Sequence, residues 1–354
     1  MNKPVLLGAA IFLAAVFGAQ AETPATRAWK DVTGRVIQAE FVTADEHTVT
    51  VRMAGKDYPI PLDKLSSDDR EWIRNKLAPP PSTAAAPATT SGLSIAGVTV
   101  KPGVKTEFET PVPAAVGAKA RKITGGNDSY DDVDMTKAQV GLLVPKDFDP
   151  ARSWPVIIVS VTDSGRAQGK NPSSVKAMGT FADAANELGW VVIGADCPGN
   201  LTPGLPANRA ALAETALEAL AAQWPASKDW PVATGGFSGG AKYSGWLGGW
   251  FSKAGRRVPG MFMGGCNEDM ASKAIDEWKA PKREFTKARI FVSTGKADRI
   301  AGPGKTEAVV KSLKRSGFEV REELHDGGHE VNKDHVRAAM EWFAEGVRGT
   351  AGKQ

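Results

Sequence analysis

The run Gly236-Phe237-Ser238-Gly239-Gly240 is the strongest chemical signal in the chain. It follows an apolar stretch, Val232 to Phe237, and precedes a helix-like run from Ala241 to Phe251. A Gly-x-Ser-x-Gly pattern at a strand-to-helix turn holds a serine on a strained corner, exposed as a nucleophile. Gly236 and Gly240 let backbone pass close by, and Gly239 presents its N–H beside Ser238. A serine hydroxyl is a poor nucleophile until a base takes its proton. The chain has four histidines: His47, His325, His329 and His335. His329 ends Asp326-Gly327-Gly328-His329, a tight loop between the last expected strand and the last expected helix. That placement lets an imidazole reach over the serine turn. His325 closes the strand and His335 lies inside the helix, so both suit structural roles. A carboxylate must hold the base in the right tautomer and stabilise its charged form. Asp298 ends Gly295-Lys296-Ala297-Asp298, just after the apolar stretch Ile290 to Thr294. Glu268 and Asp269, after the preceding strand, are the fallback acids. The expected catalytic set is therefore Ser238, Asp298 and His329.

Those residues need a rigid frame. Candidate strands are Gln139–Val144, Val156–Val161, Trp190–Ala195, Val232–Phe237, Met261–Gly264, Ile290–Thr294 and Glu319–Leu324. Helical stretches lie between them at Ser173–Leu188, Arg209–Gln223, Thr306–Ser316 and Lys333–Val347. Alternation of helices with nearly continuous apolar strands implies an α/β fold, a mostly parallel sheet covered on both faces. This large domain is expected over residues 97–350.

The segments before it differ in kind. Lys3, the apolar run Val5 to Phe17 and Ala19-Gln20-Ala21 read as a signal peptide cut after Ala21. The apolar run is short for a membrane span. Export to the periplasm or beyond is expected, with no span after signal removal. Residues 78–96 are rich in Ala, Pro and Thr and read as a linker. Residues 27–77 form a small module. Val36–Val42 and His47–Met53 are partly alternating strands, and Tyr58–Leu62 is a third, placed at an edge by its prolines. Ser66 opens a helix with Asp69 three residues on, and Trp72, Ile73 and Leu77 give it one apolar face.

Composition excludes some classes. The chain of 354 residues is 42% hydrophobic and 24% charged, ordinary for a folded protein. The net charge is +4, with basic residues scattered rather than clustered, so a nucleic-acid arm is not expected. The spacing of His, Cys and acidic residues supports no metal site. Cys197 and Cys266 each follow a strand on the same end of the sheet. They are either a disulfide, which export permits, or two buried thiols. The ten tryptophans are read mainly as core; Trp246 and Trp250, four apart, share a helix face.

Two resemblances rest on these residues. Gly141-Leu142-Leu143-Val144-Pro145, Trp154 to Val159, Gly189-Trp190-Val191-Val192, the serine turn, Gly295 to Asp298 and Gly328-His329 together resemble the α/β-hydrolase superfamily, in particular its exported esterase and polyester-depolymerase-like branch. The resemblance implies the chain order serine, acid, histidine, acyl transfer to water through an acyl-serine, and no cofactor. In one place the chain departs from the family pattern. Most relatives have His-Gly after the Val156 strand, where this chain has Thr162-Asp163-Ser164-Gly165. The oxyanion hole is then expected from the backbone N–H of Gly239 with that of Thr162 or Asp163, and Asp163 brings a carboxylate close to it. A catalytically silent binding protein on the same fold stays open as an alternative, and a peptidase of this fold as a narrower one. Trp29-Lys30-Asp31, Gly34-Arg35, Ala39 to Val42, Ile60 to Ser66 and Asp69 resemble the first homology domain of the yeast Sla adaptor proteins. That implies a small Src-homology-three-like β-barrel. Its expected role is a spacer, or docking to a protein or cell-envelope partner. The expected substrate is a small or polymeric ester.

Overall fold

Runs such as Val156-Ile157-Ile158-Val159 are stiff at the β-carbon and apolar on both sides, which suits them to the middle of a sheet. The computed structural model describes residues 26–32, 34–45, 48–66, 69–70, 72–73, 93–124, 133–163 and 172–351. The chain divides into two units, residues 1–89 and 90–354. The expected signal peptide, His47 and most of the expected linker lie outside the described residues. No helix among the described residues is long and apolar enough to cross a membrane.

The first unit is an antiparallel sheet in the order β1-β2-β3-β4. Its strands are β1 (Thr26–Lys30), β2 (Val36–Ala44), β3 (Thr48–Met53) and β4 (Lys56–Pro61). β4 is an edge strand, which tolerates Pro59 and Pro61. β1 is an addition to the strands expected from sequence. An isolated antiparallel bridge, Asp31 to Leu65, brings the chain after β4 back to the end of β1. Trp29, Ala39, Val49, Val51, Leu65 and Ile73 form the core. Asp69 accepts from the Lys30 N–H at 2.6 Å and pairs with Arg27, whose guanidinium lies over Trp29 and Trp72.

The second unit begins with a short hairpin, β5 (Ser94–Ile95) and β6 (Val98–Thr99). The order then runs β7 (Thr106–Pro111), α1 (Ala114–Thr124), β8 (Lys137–Leu143), β9 (Val156–Ser160), α2 (Ser174–Ala177), α3 (Gly179–Leu188), β10 (Val191–Asp196) and α4 (Pro206–Gln223). It continues with β11 (Val232–Phe237), α5 (Gly239–Lys253), β12 (Gly260–Gly264), α6 (Met270–Trp278), α7 (Lys282–Phe285), β13 (Arg289–Gly295), α8 (Pro303–Ser316), β14 (Glu319–His325) and α9 (Lys333–Ala351). The eight-stranded sheet has the order β14-β13-β12-β11-β9-β10-β8-β7. β8 runs antiparallel to both neighbours, and the pairs from β10 to β14 are parallel. This is the mostly parallel α/β sheet, covered on both faces, that the sequence predicts.

Side-chain alternation builds the two covers. Val156, Ile158, Met261, Met263, Ile290 and Val292 point into one core, shared with α1, α4, α5 and α8. Ile157, Val159, Val192, Phe262 and Phe291 point into the other, under α3 and α9. Burying each such side chain stabilises the fold by roughly 1.5–3 kcal/mol before entropy is counted.

The sequence suggests one helix over Ser173–Leu188, but the structure has two. Asp196 at the end of β10 accepts from the backbone N–H groups of Ser174 and Val175, each at 3.1 Å. The first turn is thereby drawn onto the sheet at Gly194, where a β-carbon would lie 2.5 Å from the Ser174 carbonyl oxygen. The helix restarts at Gly179. β7, α1 and α6 are further elements absent from the sequence reading.

Candidate active site

Ser238 is the residue between β11 and α5, with φ 56° and ψ −120°. A non-glycine side chain at this φ is strained, and such strain is kept where surroundings enforce it. Its N–H donates to the Gly264 carbonyl at 2.8 Å. A β-carbon on Gly236 would sit 2.4 Å from Gly240 backbone, and one on Gly240 would sit 2.1 Å from the Ser160 oxygen. Both glycines are therefore required by backbone passing too close for any side chain.

His329 stands on the loop between β14 and α9. Its Nε2 lies 2.9 Å from Ser238 Oγ, and its Nδ1 lies 2.7 Å from Asp298 Oδ2. The ring packs against Phe237, with centroids 4.7 Å apart. Beneath it Gly265 leaves room that a β-carbon would take, 3.2 Å from Cε1 of the imidazole. The loops bearing Asp298 and His329 are tied by the Ala297 N–H donating to the Gly327 carbonyl at 2.9 Å. Gly295 makes that approach feasible, since a β-carbon there would meet the Gly328 oxygen at 2.1 Å.

Asp298 is 6% exposed. Its Oδ1 accepts from the N–H groups of Ile300 and Ala301 at 2.7 and 2.8 Å. Burial alone would push this carboxyl up. The bonds from His329, Ala301 and Ile300 outweigh burial and hold it below the usual carboxylate range. The group is thus an anion whose two oxygens have separate tasks, one on the loop and one on the imidazole.

Glu268 and Asp269, the fallback acids, are engaged elsewhere. Glu268 pairs with Lys242 at 2.9 Å and Lys273 at 2.8 Å. Asp269 caps α6 by accepting from Ser272 N–H at 2.9 Å. His335 bonds Ser293 Oγ at 2.9 Å from α9 and is held by β13 and β14, away from Ser238. His325 lies edge-on to it.

At the expected oxyanion hole, Gly239 N–H donates to Thr162 Oγ1 at 3.2 Å. A side-chain hydroxyl covers the amide, a contact beyond the backbone donors expected from sequence. Asp163 is buried, 5% exposed. Ser164 and Gly165 lie outside the described residues. An apolar pocket lies beside this corner, lined by Val161, Ala177, Thr180, Phe181, Phe237 and Val331 among others.

Cys197 and Cys266 form no disulfide with each other, and both are buried. They follow β10 and β12, which β9 and β11 separate. Three strand spacings of about 4.8 Å put the loops on the order of 14 Å apart, too far for a disulfide. Cys266 Sγ lies 3.2 Å from the Glu268 carbonyl, and burial pushes its thiol up to about 11. Among the described residues no group of three His, Cys, Asp or Glu could hold a metal ion.

No family model matches the chain, and no curated protein does. Solved structures of similar chain path exist. One is a Bacteroides ovatus chain described as a dipeptidyl aminopeptidase IV (TM-score 0.43, 13% identity, 91% of this chain and 43% of that one). Another is the Bacillus cereus carboxylesterase (TM-score 0.39, 14% identity, 59% of this chain and 94% of that one). A third is XC6422 from Xanthomonas campestris, a serine hydrolase without a lid (TM-score 0.42, 18% identity, 62% of this chain and 92% of that one). The chain thus spans less than half the length of the Bacteroides protein.

Two residues near the site, Arg209 in α4 and Tyr243 in α5, are not among those the sequence points to. Arg209 lies in the first turn of a helix, where a cation opposes the macrodipole, and that anomaly was the available signal.

Proposed function

We propose that this protein is a serine hydrolase acting on carboxylic esters through an acyl-Ser238 intermediate. The observation that carries the reading is the single imidazole bridging Ser238 Oγ at 2.9 Å and the buried Asp298 at 2.7 Å. His329 Nε2 takes the Ser238 proton as Oγ attacks the ester carbon. The resulting oxyanion is received by the Gly239 N–H and a backbone N–H of the 162–163 segment. His329 then returns the proton to the leaving alcohol. Water, deprotonated by the same imidazole, releases the acid. Asp298 stays ionised throughout and steadies the imidazolium. The pocket beside Phe237 and Val331 suits a short apolar acyl group.

The reading includes export, on the strength of residues 1–21, and a docking or spacer role for the Sla-like module. A second reading, a silent binding protein on this fold, draws on the Thr162 hydroxyl that covers Gly239 N–H. Fluorophosphonate labelling of the purified chain beside Ser238→Ala separates the two. Labelling lost in the variant supports the hydrolase; a well-folded wild type that does not label overturns it.

A further inference from the structure

Arg209 is 5% exposed, an unusual depth for a guanidinium. Its Nε donates to the Pro203 carbonyl and its Nη1 to the Val161 carbonyl, each at 2.7 Å. Its Cζ lies 3.4 Å from the ring centroid of Tyr243, whose hydroxyl donates to the Gly204 carbonyl. Tyr243 is on α5, the helix that opens at the nucleophile. Arg209 therefore joins the end of β9, the loop before α4 and the nucleophile's own helix.

The geometry points to Arg209 as a positioning residue for the oxyanion hole: by gripping the Val161 carbonyl it sets the plane of the peptide that carries the Thr162 N–H. This inference rests on the serine-hydrolase reading above. A trans peptide is planar, with C=O and N–H pointing in opposite directions. Once the Val161 oxygen faces Arg209, the Thr162 N–H faces away from it. The same peptide packs on the serine turn. A β-carbon on Gly240 would meet Val161 Cα at 2.7 Å, and one on Gly239 would meet Thr162 Cα at 3.0 Å. The peptide is thus held from two sides, by Arg209 and by the turn that bears Ser238. A cationic donor on the carbonyl also polarises the amide and strengthens its N–H as a donor. In this arrangement Arg209 acts through the peptide.

Losing an oxyanion donor costs ~10²–10³ in kcat, and a donor left in place but released from its clamp costs part of that, about 10- to 100-fold. The test uses the full chain with Arg209→Met, Arg209→Lys and Arg209→Ala. The readouts are kcat and KM on a p-nitrophenyl ester, affinity for a boronic acid that mimics the tetrahedral state, and melting temperature. Arg209→Met is expected to lower kcat about 10- to 100-fold with KM within about twofold, and boronate affinity should fall in step. Arg209→Lys keeps the charge and one donor, and should fall between Met and wild type. Guanidinium ion added to Arg209→Ala should restore part of kcat. Should Met or Ala not fold, the Lys variant decides the question through the same split of kcat from KM. A folded variant with unchanged kcat and boronate affinity, and only a lower melting temperature, would overturn the clamp. In that case wild-type turnover and labelling stand, and the hydrolase reading survives. A wild type that neither labels nor turns over ester overturns both.

Discussion

Asp298→Asn is the sharpest test of the proposed triad because the loop dictates how the new amide must sit. Oδ1 accepts from two backbone N–H groups, at 2.7 and 2.8 Å, while Oδ2 faces His329 Nδ1. An asparagine has one acceptor end and one donor end. Turning its NH2 toward Ile300 and Ala301 would lose two hydrogen bonds and leave buried donors unmet, at about 1–3 kcal/mol each. The carbonyl therefore stays on the loop and the NH2 faces the imidazole. Nδ1 must then accept, the ring proton moves to Nε2, and Nε2 can no longer take the proton from Ser238. Reaching the working tautomer requires the amide to flip, at ~2–6 kcal/mol, which is ~30-fold to ~10⁴-fold in rate. The upper end matches the loss known for the same exchange in a serine protease, ~10⁴ in kcat. We expect kcat on a p-nitrophenyl ester to fall within this range, near its upper end, with KM within about twofold. Retention of more than about a tenth of wild-type kcat would refute the reasoning. The pH dependence of stability offers an independent reading. The folded carboxyl is held low, so its contribution is fully present above the unfolded value of about 3.9 and is lost as pH falls through the folded value. The asparagine variant lacks this component. Any stability advantage of wild type over the variant in urea should therefore shrink as pH drops below about 4.

Three further outcomes follow from the same geometry. Thr162→Ala removes the hydroxyl that Gly239 N–H now donates to, a bond of about 1 kcal/mol, so the amide meets an oxyanion without first breaking it. A rise of up to about fivefold in kcat is expected, and a fall of more than about tenfold would show that the hydroxyl itself is a needed donor. Cys266, its thiol pushed up to about 11 by burial, should not react with a disulfide reagent in the native protein at pH 8, and neither should buried Cys197. Both should titrate after denaturation without reductant, whereas zero thiols there would mean a bridge. Tyr243→Phe keeps the ring under Arg209 and removes the bond to Gly204, so kcat should change by less than about threefold; a loss matching Arg209→Met would mean the hydroxyl, not the stacked ring, holds the clamp.

What could be seen in the sequence was whatever has a local cause. The serine turn needs glycine where backbone crosses backbone, and Gly236 and Gly240 occupy those contacts. Gly295 stands where the loops bearing Asp298 and His329 pass within touching distance, since a β-carbon there would meet the Gly327 and Gly328 oxygens. The central strands are apolar on both faces because both are covered. β7 is hard to see in the sequence because Thr-Glu-Phe-Glu-Thr-Pro has one large inward side chain, Phe108, as an edge strand covered on one face allows. α6 is masked in the sequence, although Met270, Ala271, Ala274 and Trp278 keep helical spacing, because Gly265 and Asn267 ahead of it suggest only a loop.

The oxyanion side was the least legible part of the site because its causes are distant in sequence. Nothing around Thr162 indicates that its hydroxyl meets Gly239, 77 positions on, or that Arg209, 48 positions on, holds the Val161 carbonyl. On the proposal above, a buried cation from one helix and an aromatic ring from another set this backbone. Such a device depends on side chains at two remote positions at once, so loss of the guanidinium or of the ring should disturb the hole. If Arg209 is what orients the donor peptide, then the departure at Thr162-Asp163 is compensated rather than damaging, and the silent-protein reading loses its main support. The Arg209 variants therefore bear on both questions: a clamp that moves kcat without moving KM is one that only a working active site would need.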